Sequence, residues 1–161
     1  NVIGSRGSVI DILKKSPAVK RVRITDPTMT RFWITLSQSF KLVEFALRNM
    51  VGGEIFIPKL PSMRIADLFD AVAPDAQREI IGLRPGEKIH ETLLTKEEAN
   101  HAVEMEGTYV VLSEFPHFAE NPYAKYHDQG HKLEPGFCFA SHSNAQWFTK
   151  EDFKKILNDA L

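Results

Sequence analysis

The sequence has one cysteine, Cys138, in 161 residues. No disulfide can form within it, and a reducing, cytoplasmic setting fits best. It has no run near the ~20 apolar residues that a membrane-spanning helix needs, and no charged-then-apolar leader. Neither charge is in excess: 20 Lys and Arg against 21 Asp and Glu give a net charge of −1. That leaves no basic footprint for nucleic acid. Three chemical signatures are also missing: a glycine-rich dinucleotide loop, a phosphate loop ending Gly-Lys-Ser/Thr, and a Tyr-x-x-x-Lys pair. Tyr109, Tyr123 and Tyr126 are followed four residues later by Ser113, His127 and Gly130. By itself, the sequence has no recognisable means of holding a nicotinamide or activating a hydroxyl. The opening Asn1-Val2-Ile3-Gly4 also lacks a methionine, and the expectation is either processing or an absent upstream portion.

What is present reads as α/β, with one ordinary domain's length of material. Val19-Lys20-Arg21-Val22-Arg23-Ile24 alternates like a half-exposed strand, and Asp26-Pro27 follows as a turn. Thr35 and Gln38 form a capping-box pattern ahead of Leu36, Phe40, Val43, Leu47 and Met50, an apolar stripe at helical spacing. Burial of that stripe is expected to supply a core, with Gly52-Gly53 stopping the helix. Glu54–Ile57 reads as a buried strand, a second helix is expected from Ser62 to Pro74, and 79–83 as a further strand. Thr108–Leu112 reads as a strand and 113–146 as mostly irregular. Thr149 and Asp152 then cap a final helix whose Phe153, Ile156, Leu157, Ala160 and Leu161 share one face.

Three segments could carry chemistry. In Arg84-Pro85-Gly86-Glu87, Pro then Gly is the type II turn pattern, which brings the outer Cα atoms within about 7 Å. A guanidinium held there can clamp a diphosphate, and the adjoining carboxylate can accept from sugar hydroxyls. The alternative is a surface ion pair worth about 0–1 kcal/mol. In Asp26-Pro27-Thr28-Met29-Thr30-Arg31-Phe32-Trp33, Arg31 is either presented to a phosphate between two aromatics or snorkels from an interior aromatic pair. Asn1–Val9 has two glycines around Ser5-Arg6, which permits close backbone approach to a ligand. His127-x-x-x-His131 and Cys138-x-x-x-His142 have zinc-like residue types, but Gly130, Pro135 and Gly136 break the helix such pairs need. Solvated histidines are the reading, with no metal. His90, His101 and His117 receive no role, and Lys96-Glu97-Glu98 reads as a solvated face.

Taken in order, Asn-Val-x-Gly-Ser-Arg-Gly-Ser-Val, Ile-Thr-Asp-Pro-x-Met-Thr-Arg-Phe, Gly-Gly-Glu-Ile-Phe and Arg-Pro-Gly-Glu-Lys-x-His-Glu resemble one family. They are similar to the C-terminal, substrate-binding half of the inverting UDP-N-acetylglucosamine 4,6-dehydratases, the polysaccharide-biosynthesis branch of the extended short-chain dehydrogenase/reductases. The closing Ser141–Thr149 resembles that family's Ser-x-x-Asn-x-x-Trp-Leu ending. Asp11 departs from the family's proline after Ser-Val-Ile, and Tyr123–Lys132 matches no family motif.

The resemblance implies an NADP-dependent lyase acting on UDP-GlcNAc in surface-polysaccharide or glycan biosynthesis. A hydride leaves C4 for NADP+, water is lost across C5 and C6, and the hydride returns to C6 with inversion at C5. The family's cofactor glycines and its catalytic groups lie upstream of the Asn-Val motif, so none is expected in this chain. Asn1 and Arg31 would approach the diphosphate, Thr25 and Met29 the uridine, Arg84 would clamp phosphate and Glu87 would accept from the ribose.

The expected fold is a small mixed sheet with flanking helices. Residues 1–34 would complete the interface with a Rossmann half, 35–112 would form an α/β substrate-binding subdomain, and 113–161 an irregular extension ending in a docked helix. Faces meant for the absent half would stay apolar, predicting self-association; a homo-oligomer is expected, with neither nucleic acid nor membrane as partner. The competing readings are a nucleotide-sugar epimerase on the same scaffold and a non-catalytic UDP-sugar-binding or interaction module.

Overall fold

The structure, a computed structural model, describes residues 1–5, 19–114 and 122–159. Asp11, the Arg6–Val9 part of the first loop, His117, Ala160 and Leu161 lie outside the described residues. The chain divides into two compact units: residues 1–37, 60–91 and 141–161 form one, and 38–59 with 92–140 form the other. The α/β class holds, with the strands spread over several small sheets, parallel and antiparallel.

In the first unit, β1 (Val2–Ile3) pairs in parallel with β4 (Ile34–Thr35). β2 (Arg21–Ile24) pairs in parallel with β7 (Gln77–Ile80), Arg21 opposite Gln77 and Ile24 opposite Ile80. The alternation expected for β2 is realised: Val22 and Ile24 are buried, Arg21 and Arg23 exposed. β3 (Thr30–Phe32) runs antiparallel to β6 (Ser62–Arg64). The expected second helix therefore begins later than Ser62. Ser62 is fully buried, donates its N–H to Gln146 O and accepts at its carbonyl from Phe148 N, so its backbone is committed to extended pairing.

The helix itself, α2 (Ile65–Val72), is only two turns long and buries both flanks. Leu68 and Ala71 join Ile3, Trp33, Met63, Phe153 and Leu157, while Phe69 joins Val22, Ile24 and Ala76. The C-terminal helix α5 (Lys150–Asp159) meets the first of these clusters. Its capping box forms as expected: Asp152 N donates to Thr149 Oγ1 at 3.1 Å, and Thr149 N to the Asp152 carboxylate at 3.3 Å. Phe153 stands edge-on to Trp33 with ring centroids 5.3 Å apart. Lys150 and Arg78 both pair with Asp70 of α2.

In the second unit, β5 (Ile55–Pro58), β9 (Ala102–Met105), β10 (Thr108–Val111) and β11 (His131–Lys132) form an antiparallel sheet ordered β11-β9-β10-β5. β9 and β10 are joined by Glu106-Gly107, with Gly107 at φ +72° as a two-residue hairpin turn requires. β8 (Thr92–Leu94) pairs with β12 (Phe139–Ala140). Between β8 and β9, α3 (Lys96–Ala99) carries a full Thr95–Glu98 capping box, and Lys96, Glu97 and Glu98 are solvated. α4 (Ala124–Gln129) supplies Tyr126, which packs with Val103, Val110, Leu112 and Tyr123. The Tyr126 hydroxyl donates to Asn49 O and to Glu54. Burial and the Glu54 carboxylate push its pKa well above the usual phenol range.

One core expectation is overturned. Helix α1 (Leu36–Asn49) forms where the spacing placed it, but it has no buried residue. Leu36, Phe40, Val43, Leu47 and Met50 are each more than half exposed, Phe40 the most at 68%. The periodicity identifies a face that seeks an apolar partner; it says nothing of whether this chain provides one. β5 departs similarly, since Ile55 is exposed and only Ile57 is buried.

These burials predict opposite outcomes for two aromatic truncations. Phe153→Ala, fully buried in the wild type, is expected to cost about 3–5 kcal/mol. Phe40→Ser should stay within about 0.5 kcal/mol and reduce self-association. Thermal unfolding and sedimentation of the two variants check both.

Candidate functional site

Every residue nominated for substrate lies in the first unit. The Arg84–Glu87 turn forms as the Pro-Gly pattern requires. Glu87 N donates to Arg84 O at 3.0 Å, and Gly86 sits at φ +80°, where a side chain would be strained. The surface ion pair does not form. Instead, Glu87 Oε2 accepts from Arg84's own backbone N–H at 3.2 Å, and Oε1 accepts from Thr25 Oγ1 at 3.2 Å. The carboxylate is thus fixed from two sides and retains lone pairs for further donors. The exposed Arg84 guanidinium has no ion-pair partner among the described residues.

Arg31 is placed differently. Its side chain is only 12% exposed, with Phe32 and Trp33 buried beside it in sequence. Nη1 donates to Thr30 O and Ile89 O at 2.8 and 2.9 Å, Nη2 donates to Lys88 O at 2.8 Å, and Nε stands 3.3 Å from Glu91 Oε1. The aromatic pair is interior, as one of the two readings had it, but the arginine does not snorkel.

Met29 is buried, and its carbonyl accepts from Ile65 N. Asn1 Nδ2 donates to Phe32 O at 2.9 Å. The structure therefore brings Thr25, Arg84 and Glu87 into direct contact and sets Arg31 on the segment that follows them. Asn1 is one residue further along at Phe32, and Met29 is inside.

Asp26 organises the loop between β2 and β3. Its carboxylate accepts from Thr28 N at 2.7 Å and Thr28 Oγ1 at 2.5 Å, and these bonds hold its pKa below the ordinary value.

A cavity of about 420 Å³ opens beyond the carboxyl ends of the parallel pair β1·β4, lined by Val2, Ile3, Gly4, Ser5, Thr35 and Leu36. That is where open α/β sheets place ligands. A second cavity of similar volume, in the other unit, is lined by His101, Val103, Leu112, Tyr123, His127 and Lys132, and neither cavity is lined by a nominated residue.

His90, Glu91 and Ser141 were missed by the sequence reading. Thr30 Oγ1 lies 2.8 Å from His90 Nδ1 and 2.6 Å from the buried Ser141 Oγ, which accepts from Glu91 N at 2.9 Å. His90 stacks on His142 with ring centroids 4.5 Å apart. The available signal was the motif's continuation through Lys88-x-His90-Glu91. Among the described residues, no group of three or more His, Cys, Asp or Glu could hold a metal ion. No described helix is long and apolar enough to cross a membrane. The strand-to-helix junctions at 35/36, 64/65 and 94/96 contain no glycine, so no glycine cradle for a pyrophosphate forms at them.

Parallel strand pairs, a cavity at the carboxyl ends of β1·β4 and an Arg-Pro-Gly-Glu turn whose guanidinium has no ion-pair partner among the described residues mark the first unit of an α/β protein. Residues 1–113 match the model of the polysaccharide biosynthesis protein family, and the chain belongs to that family. It is 39% identical over 166 aligned residues to an inverting UDP-N-acetylglucosamine 4,6-dehydratase of Campylobacter jejuni, covering 98% of this chain and 49% of that protein. A UDP-glucose 4-epimerase of Rickettsia massiliae is 35% identical, with 98% and 47% covered. Among solved structures, Pen from Bacillus thuringiensis superposes with a TM-score of 0.80 at 29% identity, over 100% of this chain and 49% of that one. The chain thus spans about half the length of the relatives it matches.

Burial, His142 and Arg31 lower the His90 pKa, with Asp26 opposing. The unfolded chain then binds more protons than the folded one near the ordinary histidine value of about 6.5. Stability from this group is present above that value and lost as pH falls through it. Thermal melts from pH 8 to pH 5 should show a shallower decline in His90→Gln than in the wild type.

Proposed function

We propose that this chain is the substrate-binding portion of an NADP-dependent nucleotide-sugar 4,6-dehydratase that acts on UDP-GlcNAc with inversion at C5. On this reading it serves surface-polysaccharide or glycan biosynthesis as a cytoplasmic homo-oligomer. The observation that carries the reading is the Arg84–Glu87 turn, with its guanidinium unpaired among the described residues and its carboxylate held by Thr25. Arg84 donates paired N–H groups to the substrate diphosphate, a charge-assisted contact suited to a fixed arginine. Glu87 accepts from the ribose hydroxyls through lone pairs that Thr25 and the Arg84 N–H leave open. Thr25 orients that carboxylate. Asn1 borders the loop that faces the diphosphate, and the buried Met29 gives the uridine loop its shape.

NADP, which supplies the hydride acceptor and donor in such chemistry, is held by residues outside this chain. What these residues do is fix the UDP end, so that binding energy made far from the sugar is available to position its reacting carbons. The likeness to a UDP-glucose 4-epimerase favours a second reading, epimerisation on the same scaffold. Both readings require the same UDP contacts here.

In the protein that carries this chain, Arg84→Ala should weaken UDP-GlcNAc binding by calorimetry roughly 10–100-fold, as loss of a charged hydrogen-bond donor implies. Unchanged affinity would overturn the reading. The 161-residue chain by itself should not turn over UDP-GlcNAc with NADP; water loss catalysed by the purified chain would place catalytic groups on it.

A further inference from the structure

We infer that Arg31 is a positioning residue rather than a phosphate ligand: its guanidinium straps segment 88–91 to β3 and thereby fixes the Arg84–Glu87 turn that precedes it. The inference rests on the UDP-binding reading of that turn. Three of its N–H groups are donated to the carbonyls of Thr30, Lys88 and Ile89, and its Nε faces Glu91. A largely covered guanidinium so supplied has satisfied most of its fixed fork of donors.

The strap does not act alone. Thr30 N donates to Ile89 O at 3.0 Å, so that one carbonyl accepts from both Thr30 and Arg31. The Thr30 hydroxyl meets His90, and Ser141 takes the Glu91 N–H. Residues 88 to 91 are therefore gripped one after another, beginning one residue beyond Glu87. The turn itself has little else to hold it. Arg84, Pro85 and Gly86 are exposed, and Gly86 has open space about it. Among the described residues, its ties beyond its own backbone are the Thr25–Glu87 bond and the strapped segment.

An arginine is required for geometry as well as charge. Carbonyls of three residues and one carboxylate are met by a planar fork, which a lysine ammonium on a flexible stem cannot reproduce. A direct phosphate ligand would behave otherwise, because a lysine retains the charge that a phosphate needs.

The test uses the full protein that carries this chain, with Arg31→Gln, Arg31→Lys and the milder Glu91→Gln, which removes only the carboxylate charge facing Nε. Amide hydrogen exchange at Thr30 and Glu87 reads the strap without any ligand. Exchange there should rise at least tenfold in both Arg31 variants, and less in Glu91→Gln, relative to core amides such as that of Leu68. Unchanged exchange overturns the proposal. Uridine and UDP are then titrated. A strap acting through the turn weakens both ligands, UDP at least as much as uridine, gives no rescue in Arg31→Lys, and adds nothing further in an Arg84→Ala/Glu87→Gln background. Loss confined to UDP, rescued by lysine and additive with Arg84→Ala, makes Arg31 a phosphate ligand and overturns the proposal. Arg84→Ala without effect on UDP would sink the functional reading instead, leaving the exchange data to decide the strap.

Discussion

A guanidinium removed from water must be given acceptors, and Arg31 finds them in one short stretch of backbone, the carbonyls of Thr30, Lys88 and Ile89. The first unit's functional end depends on that constraint. Strand β3 is held on one side by its antiparallel pairing with β6, and it holds residues 88–91 through Arg31 and Thr30. The Arg84–Glu87 turn is exposed, and the order of its flank comes from this grip rather than from packing of its own. A charged contact that would be worth little by itself becomes a structural element because the guanidinium is largely covered and multiply hydrogen bonded.

The same strand connects the site to the core. Thr30 and Arg31 face the gripped segment, and Phe32 and Trp33 immediately after them are buried, with Trp33 against Phe153 and the flanks of α2. Helix α2 is too short to have a solvent stripe of any width, so it divides its side chains between two clusters. Strand β3 thus joins the gripped segment 88–91 to the core around Leu68 and Phe153. The exposed stripe of α1 is the opposite case: an apolar surface with no partner in the described residues, in a chain about half the length of its relatives.

Much of the fold was legible wherever the cause is local. The Thr149–Asp152 box, the Pro-Gly turn at 85–86 and the burial of Leu68 and Phe69 along α2, with Ile65 and Val72 partly buried, each follow from residues within a few positions of one another. The Thr95–Glu98 box was equally local and was passed over because Lys96-Glu97-Glu98 reads first as a charge run. Ser62 misled for a different reason. A serine ahead of an apolar helix looks like a cap, and only its commitments to Gln146 and Phe148, more than 80 residues away, keep it extended.

Sequence alone determined the α/β class, the turn that presents Arg84 and Glu87, and membership of a polysaccharide biosynthesis family, because these are set by short-range periodicity, backbone dihedrals and ordered motifs. Tertiary structure alone decided that Thr25 orients Glu87 across 62 residues, that Arg31 spends its donors on Ile89 58 residues on, and that the stripe of α1 stays open to solvent. The physical reason is common to all three. A side chain's chemistry is written in its residue type, but the acceptor or surface that completes it is supplied by whatever the folded chain brings alongside.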